Sequence, residues 1–236
     1  MVHGGEGMAG IAMNNYLNNV NMPWGQLFYK LVWAQLPDFS GLDILDFGSG
    51  FGITADHLAA MNNVTAYEPN TAMWEMYPHR NKFTQTDVIP DGKFDVIICH
   101  NVLEYIPDRA DVIGKFHELL KPDGMLSVVK HNHNGRIMQK AVFENNPDEA
   151  ASLLDGGDSF AADFGKINYY DTGEFTPLFT ADKLMGIRTF YALQQNNDIK
   201  SAPEWQDKMF VLEMKVSERS EFVNVAFFHH ILFNKH

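Results

Sequence analysis

Short apolar runs and helical stripes alternate along the first half of the chain. Ile44-Leu45, Val64-Thr65-Ala66-Tyr67, Phe94-Asp95-Val96-Ile97-Ile98-Cys99 and Met125-Leu126-Ser127-Val128 read as strands. Residues 24–36 carry apolar side chains at 24, 27, 28, 31, 32 and 36, a helical stripe closed by Pro37 and Gly41. A second helix is predicted over residues 53–61. This alternation, sustained to residue 130, calls for a parallel sheet with helices on both faces. The Gly- and Asn-rich start predicts a short helix over 11–17, and with the stripe that follows it makes residues 1–40 a helical lid. After residue 131 the alternation breaks. Helices are predicted at 136–145 and 148–154, followed by several glycines and the aromatics Phe160, Phe164, Tyr169, Tyr170 and Phe175. Strands at 187–193 and 222–233, separated by a helix over 203–216, predict an antiparallel pair completing a seven-stranded sheet.

The first strand ends in an acid and opens into three glycines at alternate positions: Asp46-Phe47-Gly48-Ser49-Gly50-Phe51-Gly52. Glycine permits positive φ and lets a ligand approach the main chain closely. Strand, glycine turn and helix N-terminus together form a ligand pocket at the carboxyl end of a parallel sheet. The second strand ends at Glu68, about twenty residues on, where a carboxylate can accept from both hydroxyls of a ribose. The loop spacing is D-x-G-x-G-x-G, whereas a pyrophosphate binder shows G-x-G-x-x-G. An acid at the mouth of the loop suits a cationic ligand.

From about Leu42 through Lys130 the chain resembles the class I S-adenosylmethionine-dependent methyltransferases. The resemblance implies a Rossmann-like α/β fold, a seven-stranded, mostly parallel sheet with helices on both faces, and a substrate cap inserted after strand five, here residues 131–180. It implies S-adenosyl-L-methionine as cofactor, its methionine part wrapped by Asp46, Gly48, Ser49, Gly50 and Gly52 and its ribose held by Glu68 beside Pro69. Met73 is expected over an adenine face, Asp87 at the adenine amino group, and His100 in the segment beneath the cofactor.

Composition bounds this reading without producing it. With 236 residues, 45% of them hydrophobic, the chain is expected to be one domain, 1–236. No apolar run approaches ~18 residues, and no basic segment followed by an apolar one opens the chain, so neither a membrane partner nor a signal peptide is expected and a cytoplasmic location is the default. A single cysteine, Cys99, excludes an intramolecular disulfide, suits a reducing compartment, and is expected to be a packing residue. Net charge −12 weighs against a broad nucleic-acid footprint, leaving a restricted basic patch at Lys115, Lys121, Lys130, Arg136 and Lys140 or scattered solvated charges.

Trp24-Gly25-Gln26-Leu27, Lys130-His131-Asn132-His133-Asn134-Gly135-Arg136-Ile137-Met138, Gly186-Ile187-Arg188-Thr189-Phe190 and the Leu212-Glu213 helix resemble the tRNA wobble-uridine 5-carboxymethoxyuridine methyltransferases. Phe28 stands where those enzymes carry an arginine, and His229 and His230 stand in the last strand where another is expected. The resemblance implies methylation of a carboxylate. Such a nucleophile is ionised at neutral pH and needs a cation, for which Arg188 and Arg136 are the candidates. A hydroxyl would want a general base, for which His100, His131 and His133 are the candidates. His131-x-His133 lacks a third ligand at useful spacing, so no metal site is expected. His229 and His230 alternate across a strand, so one is expected to face the cap and the other solvent.

Three function classes stay open: a methyltransferase acting on a carboxylate or hydroxyl of a tRNA uridine, a methyltransferase acting on O or N of a small molecule, and a non-catalytic S-adenosylmethionine-binding protein. The expected partner is accordingly a tRNA or a small-molecule acceptor.

Overall fold

The structure, a computed structural model, describes residues 5–161 and 164–236. Residues 1–4 of the predicted lid and residues 162 and 163 of the predicted cap lie outside that set. Two helices lead in, α1 (Gly5–Asn21) and α2 (Pro23–Gln35). Proline fits the first turn of α2, where its missing N–H has no partner to lose. Leu27, Phe28, Leu31 and Val32 form the buried face, as the stripe predicts. Helix α1 is longer than the predicted 11–17, because Met13, Tyr16, Leu17 and Val20 find an apolar surface in Phe51, Ile53 and Met73. Tertiary burial thus extends a helix through asparagines of poor intrinsic propensity.

Alternation then follows through β1 (Asp43–Phe47), α3 (Ile53–Leu58), β2 (Asn63–Tyr67), β3 (Thr84–Thr86), β4 (Phe94–His100), α4 (Arg109–Leu119) and β5 (Leu120–His131). After β5 come α5 (His133–Met138), α6 (Pro147–Leu154), a two-residue ribbon of β6 (Phe160–Ala161) and β7 (Gly165–Lys166), then β8 (Phe179–Ile187), α7 (Pro203–Val216), α8 (Ser220–Val223) and β9 (Phe228–Lys235). The sheet order is β3-β2-β1-β4-β5-β9-β8. Its first five strands are parallel, and β9 runs antiparallel to both neighbours. The chain reverses its direction of travel across the sheet at β1, which opens a crevice at the carboxyl ends of β1 and β4. The fold is the expected Rossmann-like one.

Both closing strands shift from their predicted positions. The predicted 187–193 strand is Phe179–Ile187 instead. Arg188 turns out of it at φ +59°, and Glu213 on α7 captures the N–H groups of Thr189, Phe190 and Tyr191, so the chain enters a 3-10 turn at Tyr191–Leu193. As an edge strand with an exposed face, β8 carries polar residues that mask its periodicity. The predicted 222–233 strand begins only at Phe228, after α8. In the cap region, the helix predicted over 136–145 is α5 followed by a π-helical turn at Gln139–Phe143.

Cys99 is buried in the core between β4 and its neighbours. Among the described residues no helix is long and apolar enough to cross a membrane.

Candidate active site

Gly48, Gly50 and Gly52 sit at φ +73°, +54° and +73°, so the loop after β1 runs through three left-handed turns that L side chains resist. A Cβ on Gly48 would stand 2.5 Å from Val102, whereas one on Gly50 would meet only Met73, at 3.5 Å. The Gly50 face of the loop is therefore open to a ligand. Glu68 ties the loop to the end of β2: its Oε2 accepts from Gly50 N–H and its Oε1 from Asn70 N–H, both at 2.9 Å. Each oxygen keeps a lone pair for a further donor. Asp87 is exposed just beyond β3, whose last residue pairs with Tyr67 immediately before Glu68. Ser49 accepts from Trp74 Nε1–H at 3.3 Å; Pro69 is exposed and Met73 buried.

Asp46 lies beneath the loop, 4% exposed, with Oδ2 lacking a hydrogen-bond partner. Burial, reinforced by the nearby Glu68 charge, pushes its pKa up to about 7 despite the Ala55 N–H it accepts. Asn101, at φ +54° after β4, also buries an unpartnered side-chain oxygen. A loop edged by carboxylates and an amide oxygen, with no ion pair to Asp46 or Glu68 among the described residues, suits a ligand carrying a positive charge and ribose hydroxyls. S-adenosylmethionine meets that donor set; a pyrophosphate does not.

His100 ends β4 and enters a buried polar chain. Its Nε2 lies 2.8 Å from Ser127 Oγ, which lies 2.8 Å from His230 Nε2; His230 Nδ1 reaches Gln35 Oε1 at 2.9 Å, and Gln35 donates to the Gly186 carbonyl at 3.0 Å. The direction of every bond follows from that last carbonyl, which can only accept. Gln35 must turn its amide nitrogen toward it, so His230 carries its proton on Nδ1, Ser127 donates to His230, and His100 donates from Nε2. The lone pair of the neutral His100 ring is thereby left on Nδ1. Burial holds His100 well below the ordinary histidine pKa and His230 down at about 3.

Glu104, fully buried, crosses from the β4 exit to the β5 exit, where Oε1 accepts from His131 N–H at 2.7 Å; burial raises its pKa to about 7. Beside this crossing lies a cavity of about 570 Å³, walled by aromatics from α1, α2, β9 and the turn after β8, with Asn101 and His131 on one side and Arg136, Arg188 and Lys200 on others. His131 exposes no partner for Nδ1, and burial with Arg136 and Arg188 nearby lowers its pKa to about 3. Arg188 packs its guanidinium 5.1 Å from Trp24 and Phe227, 5.3 Å from Tyr191 and 5.9 Å from Phe228.

The structure gathers Asp46, the glycine loop, Glu68, Met73 and His100 around the crevice and puts Arg188 in the adjoining cavity wall. His133 does not join them; its ring stands 4.8 Å from Tyr169, outside the cavity lining. The basic cluster does not form either. Lys121 pairs with Asp43 and Asp95, Lys115 with Glu118, Lys140 with Glu144 and Glu149, and Lys130 donates to the Tyr170 carbonyl, so that of these five Arg136 lines the cavity, with Arg188 and Lys200. His230 is fully buried and His229, bonded to the Val223 carbonyl, is half-buried, so neither stands freely in solvent. The cap aromatics divide, Tyr170 and Phe175 joining the main core while Phe164 meets Tyr16 and Tyr105. Sequence reasoning missed Tyr16, Asn101 and Lys200 as site residues; a lysine in a three-residue 3-10 turn carries no periodic signal. No group of three or more His, Cys, Asp or Glu able to hold a metal occurs among the described residues.

The sequence model of a family described as methyltransferase domain matches residues 24–182. The chain is 30% identical over 118 residues to the ubiquinone biosynthesis O-methyltransferase of Pseudomonas aeruginosa strain UCBPP-PA14, covering 44% of this chain and 50% of that protein. It is 28% identical over 115 residues to the protein of the same name from Paramagnetospirillum magneticum, covering 44% and 46%. The chain thus matches about half the length of these curated relatives. Among solved structures, an S-adenosylmethionine-dependent methyltransferase from Mesorhizobium loti superposes with TM-score 0.57 at 16% identity over 88% of this chain and 97% of the other. The N-methyltransferase NodS from Bradyrhizobium japonicum, in complex with S-adenosyl-L-homocysteine, gives 0.53 at 13% over 91% and 88%. These two likenesses concern the fold.

Proposed function

This chain belongs to the methyltransferase domain family, with S-adenosylmethionine as cofactor, and we propose on that premise that it transfers a methyl group to an oxygen of a small, planar acceptor. The observation that carries the reading is the aromatic cavity, about 570 Å³, adjoining the glycine-loop crevice past Asn101. A volume of that size suits one drug-sized ligand. Asp46, Gly48, Ser49, Gly50, Gly52, Glu68, Pro69, Met73 and Asp87 are assigned to cofactor binding. When bound, the cofactor supplies an electrophilic methyl carbon, and the enzyme gains most by fixing the acceptor oxygen in line with it.

In this reading Arg188 holds an acidic acceptor, His100 positions the segment under the cofactor, and His133 stays outside the chemistry. The described residues of 1–40 act as the lid and those of 131–180 as the cap, since Tyr16 of α1 stacks on Phe51 of the loop at 5.0 Å and meets Phe164 of the cap at 4.8 Å. The two curated relatives carry O-methyltransferase names, which favours oxygen as the acceptor atom. A carboxylated tRNA uridine is the second reading, favoured by Arg188 facing this cavity from the segment in which that resemblance lies.

The deciding experiment incubates purified protein and deuterated-methyl S-adenosylmethionine with a panel of planar phenols and carboxylic acids and, separately, with bulk tRNA lacking the methyl ester. Label in a small acid or phenol is the expected outcome. Label confined to a wobble uridine would replace the small-molecule reading with the tRNA one, and no label anywhere with cofactor bound would leave the non-catalytic class.

A further inference from the structure

Three cations line the aromatic cavity without an ion pair among the described residues: Arg136, half-buried and donating to the neutral Gln139 side chain and Phe160 carbonyl, and the more deeply buried Arg188 and Lys200. Arg188 is 7% exposed and Lys200 8%, both line the same cavity, and neither has a carboxylate within ion-pair distance among the described residues. Arg188 Nε has no hydrogen-bond partner at all. Both charges sit over the one ring of Tyr191, the guanidinium at 5.3 Å and the ammonium at 4.9 Å, with Phe143 on the other side of Lys200 at 4.5 Å. Aromatic faces recover only part of the hydration each cation gives up, and two like charges in one dry wall add repulsion.

The carboxylate nearest them is spent elsewhere. Glu213 uses Oε2 on Thr189 N–H and Oε1 on the N–H groups of Phe190 and Tyr191, at 2.8, 2.9 and 2.8 Å. Those three bonds hold the chain in the turn that begins at Arg188, a non-glycine residue at φ +59°. Left-handed backbone at an arginine is costly and persists where surrounding structure over-determines it. Glu213 therefore builds the presentation of Arg188 and favours its charge from nearby, but makes no ion pair with it.

We infer that Arg188 and Lys200 form a single anion site that receives the carboxylate of the acceptor, which makes a planar carboxylic acid the substrate class. This rests on the proposed methyltransferase reading, yet it concerns binding and is measured apart from turnover. The guanidinium fork supplies paired N–H donors and the ammonium a third, so a carboxylate lying over Tyr191 is held from two sides.

The probe is benzoate, with methyl benzoate as its uncharged counterpart, titrated calorimetrically into the full chain with and without S-adenosylhomocysteine. Benzoate is expected to bind at least tenfold tighter than methyl benzoate, and equally well with S-adenosylhomocysteine present. Lys200→Met is expected to weaken benzoate about tenfold while leaving methyl benzoate unchanged, and Arg188→Met to weaken it further, with the double variant losing less than the two losses combined. Lys200 lies in a short 3-10 turn, so Lys200→Met carries the test should Arg188→Met fail to fold. Benzoate binding unchanged in Lys200→Met overturns the inference. So does mutual exclusion of benzoate and S-adenosylhomocysteine, which would give the cations to the cofactor carboxylate. Benzoate binding that behaves as expected in a protein methylating no acid upholds the anion site and removes the catalytic reading alone.

Discussion

Ser127 stands 2.8 Å from His230 in the seam between β5 and β9, where the parallel part of the sheet meets the antiparallel part. Its hydroxyl also accepts from His100, so one oxygen serves two buried rings. Ser127→Ala would leave His230 Nε2 and His100 Nε2–H without partners. An unsatisfied buried polar group costs ~1–3 kcal/mol. The expected outcome is a loss in that range in urea denaturation with an unchanged m-value. Unaltered stability would mean the rings find water or each other, and the tautomer assigned to His100 would fall with the chain.

Gly50→Ala separates ligand space from protein space. Its Cβ would have only Met73 within 4 Å, at ordinary contact distance, so folding should lose only the ~1 kcal/mol that an L residue gives up in the left-handed region. Cofactor affinity should fall by more than tenfold, because the added methyl occupies the space open to the ligand. Gly48→Ala is the contrast: Val102 at 2.5 Å obstructs it whether or not ligand is present, so melting temperature should drop in that variant. Calorimetric titration with S-adenosylhomocysteine beside thermal melts checks both; equal affinity in Gly50→Ala and wild type would remove the glycine loop from the cofactor site.

Glu68→Gln tests the ribose assignment. The amide oxygen keeps one of the two loop bonds, to Gly50 N–H or Asn70 N–H, while its NH2 faces the other N–H and that bond is lost, so a modest drop in melting temperature is expected as well. The charge is lost with it, and hydrogen bonds to charged groups are worth ~1.5–3 kcal/mol, about tenfold to a hundredfold in affinity. S-adenosylhomocysteine should weaken by that factor. A 2′,3′-dideoxyribose analogue should bind wild type and variant alike, and a variant that weakens both ligands equally would assign Glu68 to loop support.

How much of this site was legible in the chain depends on what kind of signal each residue left. Asp46, the three glycines and Glu68 stand at fixed offsets from apolar strands, so the loop motif, with the resemblance it carries, pointed to one crevice. Strand β4 was legible from its central Val96-Ile97-Ile98-Cys99, buried on both faces and read as a continuous apolar run. Strand β8 was displaced because its exposed face is polar and because a distant carboxylate, Glu213, decides where it stops. Lys200 and Tyr16 were invisible because their roles come from tertiary placement across a cavity and a loop, which no local pattern encodes. Of the five basic residues for which a patch or scattered charges were both open, Lys115 and Lys140 take local helical partners, Glu118 and Glu144, whereas Lys121 is drawn away by the sequence-distant Asp43 and Asp95.

Buried ionisable groups set the pH response of stability. Burial lowers His131 to about 3, His229 to about 4 and His230 to about 3, from an ordinary 6.5, and His100 moves the same way. Between about pH 4 and 6.5 the unfolded chain binds protons on these rings that the folded chain refuses, so their contribution to stability falls as pH falls. Asp46 and Glu104, raised to about 7, act oppositely: the folded chain holds protons there that the unfolded chain releases, a contribution lost as pH rises through 7. The histidines outnumber the carboxyls, so stability should peak near pH 6.5 and fall on the acid side by about 1–2 kcal/mol per pH unit. Single substitutions resolve the two sets. His230→Gln should flatten the acid slope by about one proton, and Glu104→Gln should steepen it by about one, because the opposing carboxyl is gone. Urea midpoints at pH 5.0, 5.75 and 6.5 measure the slopes. Acid slopes that do not differ between the two variants would show that these groups are reached by water in the folded protein, and the dry seam joining the cofactor crevice to the Arg188 turn would have to be abandoned.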